Sequence, residues 1–536
     1  MKKFLQTTFI SILFIFAVFK SSAQVQQFTL SIDTASFISM PHIHSYAHAE
    51  WNDKWIFIGG RTNGLHGFTP PSGFTNNGIN DSIYVVDPVT DTRMAVNIFN
   101  EFTDTLMLNA LRASFFEYSQ NDSMLYMVGG FGYTLDSSSY STHANLIAVN
   151  IKNLVDDITN GLPVAPDFRL LQDSVFKVCG GNMYRMDSTY YLVFGHDFNN
   201  YYSVNDTLGF FSQQYTCEIR KFQINDDGIN LSISNYNAIH DSANFHRRDY
   251  NLVPQIFPDG TTGLTAFSGV FQYFAPNPFL NSVNITSAGY EVINNFNQNL
   301  SQYNSAVMPV YNTAENKMST VFFGGMSLYQ LDTVTNTLVT DTLIPFVKTI
   351  SKVVRYADSS MTEYANPTSM PALIGTNSIF IPSDSVTILH DGIIDLNALP
   401  YGITLAGRII GGINSNLPNV STSPNLSHAE NLVYNVYLNK FIDTKIEDHE
   451  VKNDILNLLV YPNPTDQTIN IQFETQKPGP VSVNIYTSHG SLVKQIYQGS
   501  LTEGKHEMKC TLQSAGTYFC KVQTENHIKS IMVVVK

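Results

Sequence analysis

The stretch Leu125-Tyr-Met-Val-Gly-Gly130 is a short apolar strand that ends in two glycines, and it decides the fold. Close or degenerate copies of it recur at intervals of 56 to 87 residues. The six copies are Trp55–Gly60, Leu125–Gly130, Tyr191–His196, Leu264–Gly269, Val321–Gly325 and Arg408–Gly412. Recurrence of one unit along a chain predicts a repeat architecture, in which each copy contributes one element of similar structure.

A second feature trails the better copies, namely a polar loop, an alternating strand and a turn. It occurs at Asn80–Thr92, Asn145–Asn150, Ser327–Asn336 and Asn431–Leu438. Together the two features resemble the kelch repeat over roughly residues 40–440. The resemblance implies an all-β fold, a six-bladed kelch-type β-propeller, in which each glycine pair ends a second strand where a Cβ would clash. The copies are longer than the usual kelch unit of ~50 residues, so we expect long loops between strands.

The ends of such a ring must meet, because an open edge strand invites aggregation. The last copy runs out after its third strand, near Lys440. The segment Gln27-Phe-Thr-Leu-Ser-Ile-Asp33 alternates as a strand and has no unit of its own. We therefore expect this segment to complete the last blade.

Composition narrows the function classes. Charged residues make up 14% of the chain, against a usual ~25%, and 28 Tyr and 36 Phe supply side chains that suit pleated surfaces. The formal net charge is −14, which argues against a broad phosphate-binding surface and so against nucleic acid as a partner. The length of 536 residues predicts more than one domain.

The first 23 residues read as a Sec signal peptide. Lys2 and Lys3 form a positive start, Phe9–Phe19 is an apolar run, and Ser21-Ser22-Ala23 is a small-residue cleavage pattern. The apolar run is well short of the ~20 residues that span a membrane as a helix. We therefore expect residues 1–23 to be removed and the mature protein to have no transmembrane segment.

The C-terminal region forms a separate domain. Residues 441–456 are a polar linker after the propeller of residues 24–440, and residues 457–536 contain short, evenly spaced alternating stretches that predict a small immunoglobulin-like β-sandwich. Its Leu459-Val-Tyr-Pro-Asn-Pro-Thr465 opening, the Ala515-Gly-Thr-Tyr-Phe519 phrase and the terminal Lys529–Lys536 resemble the type A sorting domain of type IX secretion, a family of Bacteroidota. The alternative is an ordinary immunoglobulin-like adhesion domain.

That resemblance implies a route and a partner. A protein with this tail crosses the inner membrane by Sec and is then recognised by the type IX secretion machinery through residues 457–536. It is released into the medium or attached to the outer cell surface, and the tail is typically cut off.

The chain has four cysteines, too few for a disulfide scaffold. Cys510 and Cys520 flank a turn and share the parity of inward-facing apolar positions, so a disulfide between them is one expectation and two free thiols the other. Cys179 and Cys217 should sit on the first and third strands of one blade, and strands two apart are separated by ~9–10 Å, beyond disulfide reach.

The propeller region contains no nucleophile elbow, phosphate loop, zinc spacing or calcium loop. His42, His44 and His48 form the best histidine cluster, since residues two apart share one face of a strand. The simpler interpretation is that they begin the first strand of blade one and line the channel mouth. We therefore expect no metal and no cofactor.

A pocket at one mouth of the channel is the main candidate binding site. The kelch resemblance implies that positions at the entry to a blade face this pocket, and the residues it places there are His44, Arg61, His66, Arg112 and Arg247. Arginines in such a pocket bind carboxylates bidentately, which suits an anionic sugar or an acidic peptide. The alternative is that these arginines pair with the chain's own surplus carboxylates.

Two functions remain open from the sequence. One is a non-catalytic surface or secreted module that binds glycan or protein through loops on a rigid ring. The other is a kelch-type sugar-active enzyme similar to sialic-acid mutarotases; a copper site similar to that of galactose oxidase has no matching tyrosine and cysteine pattern around Cys179 or Cys217. A buried carboxylate facing Arg112 would favour the enzyme, and a channel mouth filled by aromatic side chains would favour the binding module.

Overall fold

The computed structural model of this chain describes ten stretches of residues. They are 28–67, 73–201, 211–274, 276–332, 337–420, 426–441, 455–475, 477–487, 491–524 and 528–536. The chain divides into two compact units, Met1–Ile442 and Asp443–Lys536. The expected signal peptide, residues 1–23, and most of the expected linker, residues 441–456, lie outside the described residues.

Sheets 1 to 3 of the first unit each contain four strands that are antiparallel and follow one another along the chain. Sheet 1 contains Ala47–Trp51, Lys54–Ile58, Ser82–Asp87 and Thr92–Asn97. Sheet 2 contains Glu117–Asn121, Met124–Val128, Ala144–Asn150 and Phe168–Lys177. Sheet 3 contains Asn182–Met186, Thr189–Val193, Glu218–Asp226 and Leu231–His240. Each glycine-ended strand is the second strand of its sheet, as the repeat pattern predicts.

Sheets 4 to 6 continue the series. Sheet 4 contains Asn251–Ile256, Thr262–Phe267, Ser282–Thr286 and Gly289–Ile293. Sheet 5 contains Ala306–Asn312, Lys317–Phe323, Thr349–Arg355 and Met361–Ser369, with the short Ile394–Asp395 added in parallel. Sheet 6 contains Ser378–Pro382, Gly402–Gly411, Tyr434–Lys440 and Phe28–Thr34. The six sheets correspond one to one with the six sequence copies, and the all-β propeller-like class is confirmed.

The N-terminal strand closes the last sheet, as expected. Phe28 is opposite Lys440 and Thr34 is opposite Tyr434 in an antiparallel ladder. Phe28 and Leu30 are buried and join a core that lies between sheets 5 and 6. The strand therefore covers the edge of Tyr434–Lys440, which would otherwise offer unpaired backbone groups to another chain.

The glycine pairs share one backbone conformation, two successive residues with positive φ. At Gly129 a Cβ would lie 2.0 Å from the carbonyl oxygen of Val178, so only glycine fits. In the third copy the two positions are Phe194 and Gly195, with φ of 52° and 84°. The sequence-based alignment, which pairs Gly195 with His196, is thus wrong by one residue, because Phe194 takes the left-handed conformation that glycine takes elsewhere.

The long repeats hold extra structure rather than irregular loops. Phe131–Thr134 and Ser139–Thr142 from the second copy pair with His196–Asn200 and Phe211–Tyr215 from the third to form a four-stranded insert sheet. Two hairpins, Tyr329–Asp332 with Thr337–Thr340 and Ile413–Ser415 with Ser427–Ala429, fill the equivalent place in the fifth and sixth copies. The helices are short, namely Ile98–Glu101, Thr105–Leu111, Ile151–Asn160, and the 3-10 turns Asn76–Gly78 and Ala165–Asp167.

The hydrophobic core lies between neighbouring sheets. One cluster joins sheets 1 and 2 through Ile56, Ile83, Leu125 and Ile147. The first strands of consecutive sheets contact each other for sheets 1 and 2, 2 and 3, 4 and 5, and 5 and 6. These first strands are therefore the inner strands, and the outer strands are the half-exposed fourth ones.

The second unit is a two-sheet sandwich. One sheet contains Ile455–Tyr461, Thr468–Thr475 and Gly504–Thr511, and the other contains Gly479–Thr487, Leu492–Leu501, Gly516–Thr524 and Ile528–Val535. Alternate residues such as Ile469, Ile471 and Val483 face inward and are fully buried.

Cys510 and Cys520 both face this core, as their parity predicts, but both are free thiols. They lie on strands of different sheets, and the Cys510 Sγ points to the carbonyl oxygen of Thr511 at 3.7 Å. The disulfide between them is therefore not formed in the structure. Cys179 and Cys217 are also free. Cys217 directly precedes the third strand of sheet 3, and Gly180 and Gly181 separate Cys179 from the first, so neither sits on the strand expected for it.

Candidate functional site

The topology places two kinds of connection at the same end of every sheet. In a four-stranded up-and-down sheet, the link from the second to the third strand and the link to the next sheet leave from one end. We call this end the loop face and the opposite end, with the short turns, the turn face. The residues that directly follow the glycine turns lie on the loop face, and they are Arg61, Phe131, His196, Val270, Met326 and Ile413.

His44 and Arg61 are held together by the backbone. Each donates its N–H to the other's carbonyl oxygen at 2.9 Å, so the start of sheet 1 and the segment after its glycine pair form one small bridge. The His44 Nδ1 lies 2.8 Å from the Ser45 hydroxyl, and burial lowers the pKa of His44 to about 3. His44 is therefore buried and neutral at pH 7. It holds the backbone of Arg61 in place and does not offer a positive charge to a ligand.

Arg61 is a buried cation that pairs with no carboxylate of the described residues. Its Nη2 donates to the Thr75 carbonyl at 2.7 Å and its Nε donates to Asn63 Oδ1 at 3.1 Å, while the guanidinium lies 5.4 Å from the Phe74 ring centroid. No ion pair to Arg61 occurs within the described ranges. Burial lowers the pKa of Arg61 from its usual value, so the protein bears a cost for placing this charge here.

His66 lies next to the same ring. It stacks on Phe74 with a centroid distance of 4.7 Å and an interplanar angle of 26°, and its Nδ1 lies 2.8 Å from the Gly67 carbonyl. Burial, with smaller contributions from the charges of Arg248 and Arg61, lowers the pKa of His66 to about 4. The imidazole is thus neutral at pH 7 and lies close enough to Arg248 and Arg61 to feel both charges.

Arg248, which the sequence analysis did not select, completes this group. Its Nη1 contacts the Asp249 carboxylate at 2.5 Å, its Nε lies 3.3 Å from the Tyr215 hydroxyl, and its side chain is 19% exposed. Of Arg61, Arg247 and Arg248, it is the most exposed. The signal that could have found it is positional, since Arg248 forms with Val270 the same kind of bridge that His44 forms with Arg61.

Two histidines continue the mouth toward sheet 4. The His196 Nδ1 lies 2.6 Å from the Gln213 amide, and burial, then the nearby Arg248 and His246, lowers the pKa of His196 well below its usual value. His246 stacks on Tyr215 at 3.7 Å. The sequence analysis did not select His196, because the misaligned third repeat assigned His196 to the glycine turn itself and not to the position after it.

Arg247 does not belong to the pocket, which corrects its sequence-based assignment. It is completely buried. Its donors bind the carbonyls of Asn244 and Ser268 at 2.6 and 2.9 Å, and its guanidinium lies 3.9 Å from the Phe279 ring centroid. Adjacent residues on an extended segment point in opposite directions, so Arg247 turns inward where Arg248 turns to the mouth.

Arg112 pairs with a carboxylate of its own chain, which is the alternative that the sequence analysis gave for these arginines. Its Nε lies 2.6 Å from Asp81 Oδ1, and its guanidinium lies 5.1 Å from the Phe99 ring centroid. Asp81 is 36% exposed in its side chain, so it is not the buried carboxylate that would favour an enzyme. The remaining Nη1 is buried and makes no hydrogen bond to another described residue.

Aromatic side chains cluster beside these residues. Under the insert sheet, Phe74, Phe131, Tyr140 and Phe198 form a buried cluster, with Phe131 and Tyr140 stacked at 5.5 Å. At the rim, Tyr273 and Phe274 are 59% and 92% exposed and meet edge to face. Exposed aromatic side chains beside a polar mouth are typical of a binding surface.

Glu117 is a fully buried carboxylate at the start of sheet 2. It begins the first strand of sheet 2, is 1% exposed, and accepts a hydrogen bond from the Gly181 N–H at 2.7 Å. Its other oxygen has no partner among the described residues, and burial raises the pKa of Glu117 to about 8. It is therefore protonated at pH 7 and closed off from solvent.

The histidine cluster does not form a metal centre in the described part of the chain. His42 contacts the Ala429 carbonyl through Nδ1 at 3.3 Å, and the His44 Nδ1 faces Ser45. No group of three or more histidine, cysteine or acidic side chains is arranged for a metal among the residues that the structure describes.

The opening motif of the tail holds the last strand in place. The Asn463 amide donates to the Met532 carbonyl at 2.6 Å, and its Oδ1 accepts from the Val534 N–H at 2.9 Å. The Thr465 N–H donates to the Val534 carbonyl at 2.9 Å. The Tyr-Pro-Asn-Pro motif therefore connects the start of the sandwich to the end of the chain.

Residues 459–536 match the family described as "Secretion system C-terminal sorting domain". The tail is a type IX sorting domain. It implies export through the periplasm to the cell surface or the medium, and engagement with the type IX machinery. None of the helices in the described ranges is long and apolar enough to cross a membrane.

Two solved structures resemble this chain at low sequence identity. One, titled "Structure of YjhT", is 10% identical, covers 74% of this chain and 99% of its own, and has a TM-score of 0.40. Another, titled as a novel fungal alcohol oxidase of the AA5 family in complex with copper, is 10% identical, covers 95% of this chain and 100% of its own, and has a TM-score of 0.36. No curated protein matches the sequence.

Proposed function

We propose that the propeller is a non-catalytic binding module, delivered to the cell surface or medium by its sorting domain, that takes an anionic glycan at the loop face. The observation that carries the proposal is the grouping of Arg61, His66 and Arg248 around one mouth. Asp249 is the only carboxylate in contact with an arginine of this group among the described residues. In a chain with a net charge of −14, such a grouping marks a place that selects negative charge.

The chemistry of the group suits a carboxylated sugar. Arg248 offers a planar guanidinium for bidentate binding of a carboxylate. The neutral His66 and the hydroxyl of Tyr215 add hydrogen-bonding groups of either polarity. Tyr273 and Phe274 at the rim supply flat apolar surface against which a sugar ring can pack. An acidic peptide presents the same carboxylates and is the second ligand of this class.

A glycan array with the exported protein tests the proposal. We expect signals on glycans with sialic or uronic acids and none on their neutral counterparts. Arg248→Gln should reduce binding about ten-fold, the loss expected when a charged hydrogen bond worth ~1.4 kcal/mol is removed. The matched control Arg93→Gln changes an exposed arginine on the outer strand of sheet 1 and should bind as the parent does. Full binding by Arg248→Gln would contradict the proposed site.

The alternative, a sugar-active enzyme, is favoured by one feature, the burial of Glu117, which raises its pKa to about 8. A carboxylic acid with a pKa near neutrality is suited to proton transfer. Its burial argues against that role, because a general acid must come within hydrogen-bond reach of its substrate. Loss of anomer interconversion of a bound sugar on Glu117→Gln, with binding intact, would favour the enzyme.

A further inference from the structure

A second cleft lies at the opposite end of the propeller, and it is independent of the proposed function. It opens on the turn face, between the ends of sheets 6, 1 and 2, and has a volume of about 960 Å³. This is in the upper range of ligand pockets, ~300–1,000 Å³. We call it the turn-face cleft. Its walls come from the turn after Trp51, the turn after Gln120 and the segment from Ile381 to Ser385.

Both tryptophans of the chain line this cleft. Trp55, on the second strand of sheet 1, is 3% exposed and packs edge to face against Phe37 at 5.8 Å. Trp51, the last residue of the first strand, is only half-buried. The cleft therefore has one aromatic wall, with a rigid inner ring and an accessible outer ring.

Four carboxylates stand around this wall. They are Glu50, Asp53, Asp122 and Asp384. None of the four carboxylate groups forms an ion pair or accepts a hydrogen bond from the side chain of another described residue, whereas the Asp87 carboxylate, on the third strand of sheet 1, is paired with Lys54 at 3.1 Å. Arg408 is the one basic residue of the lining. Counting four acids against one arginine, the described lining has a formal charge of −3.

The carboxylates of the cleft also act on each other. The cleft walls desolvate Glu50, and the charges of Asp384 and Asp53 add to this, raising the pKa of Glu50 to about 7. Like charges in one cleft disfavour each other's ionised form. A bound cation would remove this penalty, and the face of Trp51 would attract it as well.

We propose that the turn-face cleft binds a basic peptide segment, with a lysine or arginine side chain placed over Trp51 and between the carboxylates. Three features point to this ligand: an accessible indole face, surplus negative charge, and room for several residues. The same charge excludes the anionic ligand proposed for the loop face. A neutral glycan would use the indole but would gain nothing from the four carboxylates.

Tryptophan fluorescence is a site-specific reporter here, because both tryptophans of the chain lie in the cleft. Tetralysine is titrated into the full exported chain at low ionic strength, with tetraglutamate and the neutral cellotetraose as comparison ligands. We expect a saturable change in emission with tetralysine only, weakened by added salt.

The variant Asp384→Asn keeps the side-chain shape and removes one charge from the cleft. Its affinity for tetralysine should be about five-fold lower, the order expected for an exposed charge pair of ~1 kcal/mol. The matched control is Asp259→Asn, an exposed aspartate in the corresponding turn of sheet 4, and it should bind as the parent does.

Three outcomes would overturn the proposal. They are no saturable response to tetralysine, a stronger response to cellotetraose than to tetralysine, and equal affinities of the Asp384→Asn and Asp259→Asn variants. None of these outcomes depends on Arg248 or on the glycan array. The proposal for the turn-face cleft is therefore tested independently of the proposed function.

Discussion

The two ends of the propeller show how one set of sheets supports opposite chemistries. On the loop face, long connections bring Arg61, Arg248 and His66 together with the aromatic residues of the insert sheet. On the turn face, two-residue turns such as Asn52-Asp53 leave carboxylates and Trp51 around an open cleft. In both regions the repeat determines at which end of a sheet a side chain lies. The length of the connecting loop then determines how far that side chain is buried.

Burial separates the two ends energetically. The arginines of the loop face lie among aromatic rings and backbone carbonyls. Burying their charge lowers the stability of the fold unless their hydrogen bonds are satisfied. On the turn face, Asp53, Asp122 and Asp384 are exposed and form no ion pair with a described residue, so they cost less and act at longer range, whereas the cleft walls partly desolvate Glu50. We therefore expect mutations on the loop face to change stability more, and mutations on the turn face to change mainly ligand affinity.

The largest effect should come from the two adjacent arginines of the loop face. Arg247→Ala removes a fully buried side chain and leaves several carbonyl acceptors unpaired, so we expect the free energy of unfolding to fall by about 4 kcal/mol. Arg248→Ala should cost less than about 2 kcal/mol. Urea denaturation of both variants measures the difference, and equal losses would contradict the assignment of Arg247 to the interior.

The next effect concerns Glu117 and pH. Its pKa is raised to about 8 in the folded protein, above its usual value of 4.5, so its contribution to stability is full below pH 4.5 and is lost as pH rises toward 8. Glu117→Gln mimics the protonated form. The decline in unfolding free energy between pH 5 and pH 9 should therefore be smaller in this variant by a few kcal/mol. Denaturation curves at both pH values check this.

Other buried acids also make the stability depend on pH, so the effect of Glu117→Gln must be compared with that of a second variant. Burial also raises the pKa of Glu363 to about 8. Glu363→Gln serves as the control for a carboxyl outside the loop-face mouth and should flatten the pH profile by a similar amount. If Glu117→Gln left the profile unchanged, Glu117 would have to be ionised and paired.

The smallest effect belongs to the turn face. Because Glu50 has a pKa of about 7, its ionisation adds a negative charge to the cleft as pH rises from 6 to 8. Tetralysine affinity should then rise a few-fold over this range in the parent and less in Glu50→Gln. Tryptophan emission at each pH measures this. A pH-independent affinity in the parent would separate Glu50 from the proposed cation site.

The repeat and the tail were predictable because they depend on local patterns. The glycine pairs need a backbone that few other residues adopt, and the sorting domain keeps a contiguous motif. Phe194 was misread because tertiary packing holds it in a left-handed conformation that its side chain does not favour alone. The insert sheet was unpredictable, since it joins Ser141 and Asn199, segments that only the ring brings together.

The candidate site was predictable in part for the same reason. Arg61 and His66 follow a glycine pair directly, so their position could be derived from the repeat. The choice between Arg247 and Arg248 depends on which way one residue faces in a connection between sheets, which has no periodicity. The turn-face cleft draws residues from three sheets and has no motif at all.

The amino-acid sequence alone determined that this chain is all-β, built from glycine-ended repeats, closed by its N-terminal strand and equipped with a sorting domain. These properties follow from short-range patterns of backbone geometry and side-chain alternation. Only the tertiary structure decided which arginine is buried, which carboxylates are left unpaired, and that both tryptophans share one cleft. Those properties depend on burial, and burial is a property of segments that are distant in sequence and adjacent in space.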